Sequence, residues 1–289
     1  MDFSIITPSF RSGAWLKLCI ASVADQQGVT HEHIVQDAGS DDGTLDWLTQ
    51  DARVRVFVEE DNGMYDAVNR GLRRAQGELL AYLNCDEQYL PGALTAVKDY
   101  FASHPDIEAL FADTIVVDAQ GQFVACRKAT LPSRAHVLAC HLPIFTCATF
   151  FRRTILDRRG LFFDPRWRDV GDAAWVLQML EQNVRMAVLR RYTSAFTRTG
   201  QNMNFLPNAL REKKALRTSA PLWTRLLTPC WALRHRLAKW HEGCYRQEPF
   251  SYELYTRDDP TRRTTVAVAQ PCWRLPTPRQ SRRSDTNNA

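Results

Sequence analysis

The stretch LLAYLNCDEQYLPGAL, residues 79–94, runs from an apolar segment into a polar turn. Leu79 to Leu83 has the length and composition of a buried strand, and Pro91-Gly92 closes the stretch. Between them lie Asn84, Cys85, Asp86 and Glu87. Adjacent carboxylates at the end of a buried strand repel each other, and partial burial raises the cost. A bound cation would relieve the repulsion; so would a solvated turn. What the rest of the chain brings to the same place decides between them.

Upstream, FSIITP (3–8), HEHIVQDAGS (31–40) and VRVFVEE (54–60) read as strands, and residues 14–27, TLDWLTQ (44–50) and MYDAVNRGLRRAQG (64–77) as helices. Gly77 is expected to cap the third helix. Strands of five to seven residues alternating with helices imply right-handed crossovers and a parallel sheet covered on both faces. Downstream, residues 94–105 read as a helix, 107–126 as a strand and hairpin turned at AQGQ, 170–183 as a helix and 184–197 as a last strand. No internal repeat is present.

In an open sheet of this kind ligands gather beyond the carboxyl ends of the strands. Three polar clusters fall there: Thr7-Pro8-Ser9, the loop Asp37 to Thr44, and Asn84 to Glu87. Any one alone could be a turn; three on one edge describe a site built from separate segments. The chain has no G-x-x-x-x-G-K-[ST] and no G-x-G-x-x-G, which argues against an ATPase and a dinucleotide-binding dehydrogenase. A carboxylate such as Asp37 can accept a base N–H but cannot hold phosphate directly. Asp86 supplies a position for a hard divalent cation that would bridge two phosphates.

The 289 residues are 45% hydrophobic and 24% charged, an ordinary globular composition. No run of 18 apolar residues occurs, and the N-terminus reads as a first strand and not a signal peptide. Eight scattered cysteines, none in a C-x-x-C pair, suit a reducing cytoplasm. The net charge of +5 is uneven: residues 1–205 carry a net −4 and residues 206–289 a net +9. Different partners for the two regions are expected.

With SIITPSF, DAGSDDGT, the block from Glu60 to Glu87, LPGAL, ATFFRR and GDAAW in this order, residues 2–205 resemble the family-2 glycosyltransferases with the GT-A fold, in particular bacterial enzymes of exopolysaccharide or lipopolysaccharide assembly. The resemblance implies an α/β, Rossmann-like, mostly parallel sheet between helices. It implies a nucleotide-diphosphate sugar donor and a divalent cation, Mn2+ or Mg2+. Thr7, Pro8 and Ser9 would line base and ribose, Asp37 would pair with the base, and Asp61, Asn62 and Gly63 would close over the nucleoside. The family's D-x-D falls on Asn84-Cys85-Asp86. Asp86 would remain the metal ligand while the ribose contact passes to the Asn84 amide, with Glu87 behind it or toward the acceptor. The catalytic base would be Asp172.

Inversion at a sugar carbon needs one base for the acceptor hydroxyl and Lewis-acid help for the leaving diphosphate. A carboxylate at a helix start has the right type, although capping that helix is the competing role for Asp172. Trp175 is read as core more readily than as a sugar platform. His31 and His33 are read as structural or exposed, His141 as a weak acceptor-site candidate, and Arg152 and Arg153 as a solvated turn. Thr146 and Cys147 stand where related proteins carry a His, so no His role carries over.

Residues 206–246 hold nine basic and two acidic side chains and three tryptophans. Leu222, Leu226, Leu233, Leu237 and Trp240 recur at helical spacings, with Pro229 expected to kink the helix. Peripheral contact with an anionic membrane and packing of this face on the body are both open; no nucleic-acid motif accompanies the charge. The organisation expected is a glycosyltransferase domain over 1–205, a basic amphipathic extension over 206–246 and a segment over 247–289, disordered after about 275. The expected activity is inverting, metal-dependent transfer to a surface-glycan or lipid-linked acceptor, by a cytoplasmic protein peripheral to the inner face of the plasma membrane. A sugar-phosphate nucleotidyltransferase and a non-catalytic nucleotide-sugar-binding protein are the alternatives.

Overall fold

The computed structural model describes residues 1–200 and 207–275; the expected disorder after about 275 lies outside them. In chain order the elements are β1 (Phe3–Ser9), α1 (Gly13–Ala24), β2 (His31–Asp37), α2 (Thr44–Leu48), β3 (Arg55–Val58), α3 (Met64–Arg74), β4 (Leu79–Tyr82), β5 (Glu87–Tyr89) and α4 (Ala93–Ser103). Then come β6 (Ala109–Asp118), β7 (Phe123–Arg127), α5 (Arg134–Ala139), a 3₁₀ turn at Thr146–Ala148, β8 (Thr149–Arg152), α6 (Thr154–Arg159), α7 (Gly171–Glu181) and β9 (Met186–Arg198). The C-terminal part holds α8 (Pro207–Ser219), α9 (Leu222–Leu226), α10 (Thr228–His241), β10 (Phe250–Leu254) and β11 (Thr264–Val268).

The main sheet has the order β3-β2-β1-β4-β8-β6-β9-β5, with β7 also pairing β6. It is parallel from β3 through β4 and mixed beyond, where β8, β7 and β5 run antiparallel to their neighbours. Strand alternation divides the core into two layers. Phe3 and Ile5 of β1, with Leu79 and Ala81 of β4, pack toward Cys19, Val23, Leu94 and Val97 of α1 and α4. Ile6, Leu80 and Tyr82 face Val68 and Leu72 of α3 and Trp175, Val176 and Met179 of α7.

Gly77 does not cap α3. The helix ends at Arg74 with Ala75 already extended. A Cβ at Gly77 would stand 2.3 Å from the Phe3 carbonyl carbon, so the glycine permits close approach of two backbones ahead of β1 and β4. Arg152 and Arg153 are not in a solvated turn. Arg152 donates to the Ile107 and Phe101 carbonyls, and Arg153 donates twice to Gly77, tying strand ends together. Pro229 sits in the first turn of α10 and marks the break after α9 instead of kinking one helix.

Residues 247–275, expected only as a C-terminal segment, contain a hairpin. β10 and β11 pair antiparallel and share a core with Leu90, Ile115, Val117 and Ala195. Arg263 grips Asp25 through two bonds of 2.5 and 2.7 Å and also reaches the Tyr89 carbonyl. Tyr255 and Gln88 exchange a pair of 2.9 Å hydrogen bonds. The hairpin thereby braces β5 from behind.

Candidate active site

Beyond the ends of β1, β2 and β4 lies a cleft of about 950 Å³. Pro8, Ser9, Asp61, Gly63, Asn84, Cys85, Asp86 and Asp172 all line it, so segments far apart in sequence converge there. Three expected residues do not. Thr7 is fully buried, with Oγ1 bonded at 2.8 Å to Nε2 of His33, because alternation turns it away from the edge. Asp37 is fully buried and shapes its own loop: Oδ1 accepts the Gly39 and Ser40 N–H groups, and Oδ2 accepts the Ser40 hydroxyl. Asn62 is exposed, outside the lining.

The turn after β4 is closed by its own acid. Glu87 Oε2 accepts the Asn84 N–H at 2.8 Å, and the Glu87 N–H donates to the Asn84 carbonyl. Glu87 is buried, and its other oxygen, like Oδ1 of Asn84, is buried with no hydrogen-bond partner. Burial raises the affinity of both Asp86 and Glu87 for protons, and the Asp86 charge raises Glu87 further. Unpartnered amide and carboxylate oxygens beside Asp86 are hard donors, the set a Mn2+ or Mg2+ ion takes. The residues fit a divalent cation.

The charge balance points the same way. Glu60, Asp61, Asp86, Glu87, Asp169 and Asp172 line the cleft against one cation, Arg11, among the described residues. Arg11 is already paired with Asp41 at 2.6 and 2.7 Å, and its backbone is left-handed at φ 51°. Its N–H is held by the Ser40 hydroxyl, which joins the loops after β1 and β2.

Asp172 stands at the second position of α7, not at its cap, which is Val170. Its Oδ1 accepts the adjacent Ala173 N–H at 2.7 Å, and its own N–H donates to Tyr65 Oη at 3.1 Å. Burial pushes the carboxyl up to about 6, against the opposing pull of the Ala173 N–H and Lys213. The loop entering α7 is held from outside. Glu212 of α8 accepts the Arg168, Asp169 and Val170 N–H groups at 2.9, 2.9 and 3.1 Å. A Cβ at Gly171 would come within 2.6 Å of the Tyr65 ring, so glycine lets α7 close on α3.

Residues 4–159, more than half of the chain, match the family described as "Glycosyl transferase family 2". The chain belongs to that family. This glycosyltransferase is 28% identical over 239 residues to the PGL/p-HBAD biosynthesis glycosyltransferase Rv2957 of Mycobacterium tuberculosis, covering 78% of this chain and 86% of that protein. A Bacillus subtilis protein named for teichuronic acid biosynthesis is 38% identical over 91 residues, 30% of this chain and 36% of its own. Among solved structures, Staphylococcus aureus TarS 1–349 with UDP-GlcNAc superposes with a TM-score of 0.56 at 19% identity, over 71% of this chain and 61% of TarS. The Pyrobaculum calidifontis mannosyltransferase PcManGT, solved with GDP-Man and Mn2+, gives 0.53 at 19%, over 83% of this chain and 70% of its own. The fold of this glycosyltransferase is GT-A.

Several residues that line or brace the glycosyltransferase cleft give little sign of it in the sequence. Tyr65 reads as one apolar position of a helix, and Arg11 as an isolated cation. Asp169 lies three residues before Asp172, a spacing that could have drawn notice. Glu212 gives no local signal. Trp175 is core, stacked on Phe163 with its indole N–H on the Leu161 carbonyl. His141 lies outside the cleft.

Proposed function

We propose that this glycosyltransferase moves a sugar from a nucleotide-diphosphate donor to a hydroxyl of a surface-glycan or lipid-linked acceptor, with inversion and with a divalent cation. The observation that carries the reading is an acidic cleft in which Asp172 and Asp86 arise from different elements. A diphosphate does not enter such a cleft without added positive charge. Asp86, with the Asn84 amide oxygen and Glu87, would hold the cation, whose charge would neutralise the leaving diphosphate.

Asp172 has the properties of the base. Its raised pKa of about 6 lets it stay ionised at neutral pH while remaining basic enough to take an acceptor proton. Tyr65 and Glu212 hold the helix start that carries it, which fixes its direction toward the cleft. Pro8, Ser9, Asp61 and Gly63 would enclose the nucleoside, and Arg11 could turn from Asp41 to the donor's phosphates. No covalent intermediate is required, which leaves one displacement and an inverted anomeric centre.

The relatives' names, in PGL/p-HBAD and teichuronic acid biosynthesis, favour envelope acceptors. The C-terminal face supports a membrane location. Leu222, Trp223, Leu226, Leu227, Leu233, Leu237 and Trp240 are exposed, as are Arg211, Lys214, Arg234 and Arg236 of the C-terminal helices. No helix among the described residues is long and apolar enough to cross a membrane, so the contact proposed is peripheral, with anionic lipid.

The test is titration of the full chain with uridine and guanosine diphosphate sugars, with and without Mn2+, followed by NMR of the sugar released to water or acceptor. Metal-dependent binding of one donor and inversion of its anomeric carbon are expected. Retention would overturn the mechanism; binding unaffected by chelator would overturn the metal.

A further inference from the structure

Three histidines from separate segments meet outside the cleft. His136 comes from α5, His141 from the loop after it, and His235 from α10, about a hundred residues later. The rings of His136 and His235 lie 4.0 Å apart, His136 and His141 4.5 Å, and His141 and His235 5.3 Å. One nitrogen from each ring lies within 4.8 Å of the other two, the one group of three or more metal-ligating side chains so placed among the described residues. His136 is 4% exposed, and neither of its ring nitrogens has a hydrogen-bond partner, although the Trp231 backbone comes near. An unpartnered buried imidazole is costly, and native interiors avoid it unless something else satisfies it.

We propose that His136, His141 and His235 form a binding site for a borderline divalent metal of the zinc class, which fastens α10 to the body. Three imidazoles leave a fourth position for water, a donor set that suits zinc and its neighbours better than Mg2+ or Mn2+. Zinc–nitrogen bonds of about 2.1 Å put tetrahedral ligands roughly 3.4 Å apart, so closure needs ring rotations that draw the nitrogens together by about 1.5 Å at most. His141 is open to solvent, which supplies an entry path.

Two cations stand nearby, Lys239 and Arg127, and they oppose a third charge. This site is separate from the proposed donor cation at Asp86, which rests on oxygen ligands.

The test uses the full chain without a histidine tag, stripped of metal, with Co2+ as a spectroscopic probe and then Zn2+. Expected are one ion bound per chain in an Asp86→Ala background, visible ligand-field absorption without a thiolate charge-transfer band, and loss of that absorption when Zn2+ is added. At zinc about 100 times Kd the melting temperature should rise by roughly 5 °C. His235→Gln and, separately, His141→Gln should weaken binding at least about tenfold, with far-ultraviolet dichroism confirming the fold. No visible band and no retained zinc in the parent chain would overturn the site. So would a thiolate band, or a band that survives both histidine substitutions. If one variant fails to fold, the other and the parent spectrum still decide.

Discussion

The hydroxyl of Tyr65 in α3 accepts the backbone N–H of Asp172 in α7, across 107 positions of sequence. The bond ties the helix after Gly63, on the proposed nucleoside side, to the helix start that carries the proposed base. Replacing Tyr65 by Phe keeps the ring stacked on Phe163 and removes the acceptor. The expected cost is about 1 kcal/mol of stability, with kcat falling about tenfold and the donor Kd nearly unchanged. Single-turnover rates at saturating donor, beside donor titration, check this; a change in Kd alone would contradict it.

Asp172→Asn removes the base and keeps the shape. Transfer should fall roughly 10²–10⁴-fold with donor binding intact. The acid limb of the wild-type rate, rising through about pH 6, should vanish with it.

The same substitution should stabilise the metal-free chain. The folded carboxyl titrates near 6 and the unfolded one at 3.8. The folded state therefore binds the extra proton between those values, and the wild type loses stability as pH rises through them. Two pKa units correspond to about 3 kcal/mol, and a carboxyl partly open to the cleft realises a fraction, on the order of 1–2 kcal/mol. The neutral amide of the Asp172→Asn chain avoids this loss. The advantage of the variant should be full above about pH 6.5 and gone by about pH 4, read from melting curves across that range.

Asp86→Ala should abolish transfer and remove the rise in melting temperature that Mn2+ gives the wild type at pH 7. A cation bound to the folded state stabilises it by mass action, and it should offset the repulsion between Asp86 and Glu87. Full transfer in excess chelator would sink the assignment.

Lipid contact is best tested by Leu226→Gln with Trp240→Gln, since both side chains are largely exposed, at 71% and 68%. Binding to anionic vesicles should drop while transfer to a soluble acceptor persists. High salt should release the wild type, because surface attraction is screened over roughly 10 Å at 0.1 M. Cutting the chain after residue 205 would not isolate this effect, since the cut also removes Glu212 and the hairpin.

The chain declares β1 through β4 plainly, because short apolar, β-branched runs and apolar helix faces are local patterns. It also declares the edge where Pro8, Ser9 and Asn84 to Glu87 gather, since crossover topology puts strand ends together. What it hides is set by partners distant in sequence. Thr7 and Asp37 look like cleft residues until alternation and a tight loop turn them inward. Gly77 looks like a helix cap because the backbone of Phe3 is invisible from Gly77's own surroundings. Glu212 and Arg263 look like surface charge, and only tertiary packing gives them the loop before α7 and Asp25 to hold.

The hairpin that Arg263 pins to Asp25 gives the chain a timetable. A ribosome releases β1 to β4 first, and these can pair as they emerge, since domains begin to fold from the N-terminal side during synthesis. Yet β5 waits for β9, its sheet neighbour, and Gln88 waits for Tyr255. The turn bearing Asn84 and Asp86 therefore acquires its final support from nearly the last described segment to be made. A nascent chain of this glycosyltransferase would have a sheet long before it had a finished cleft.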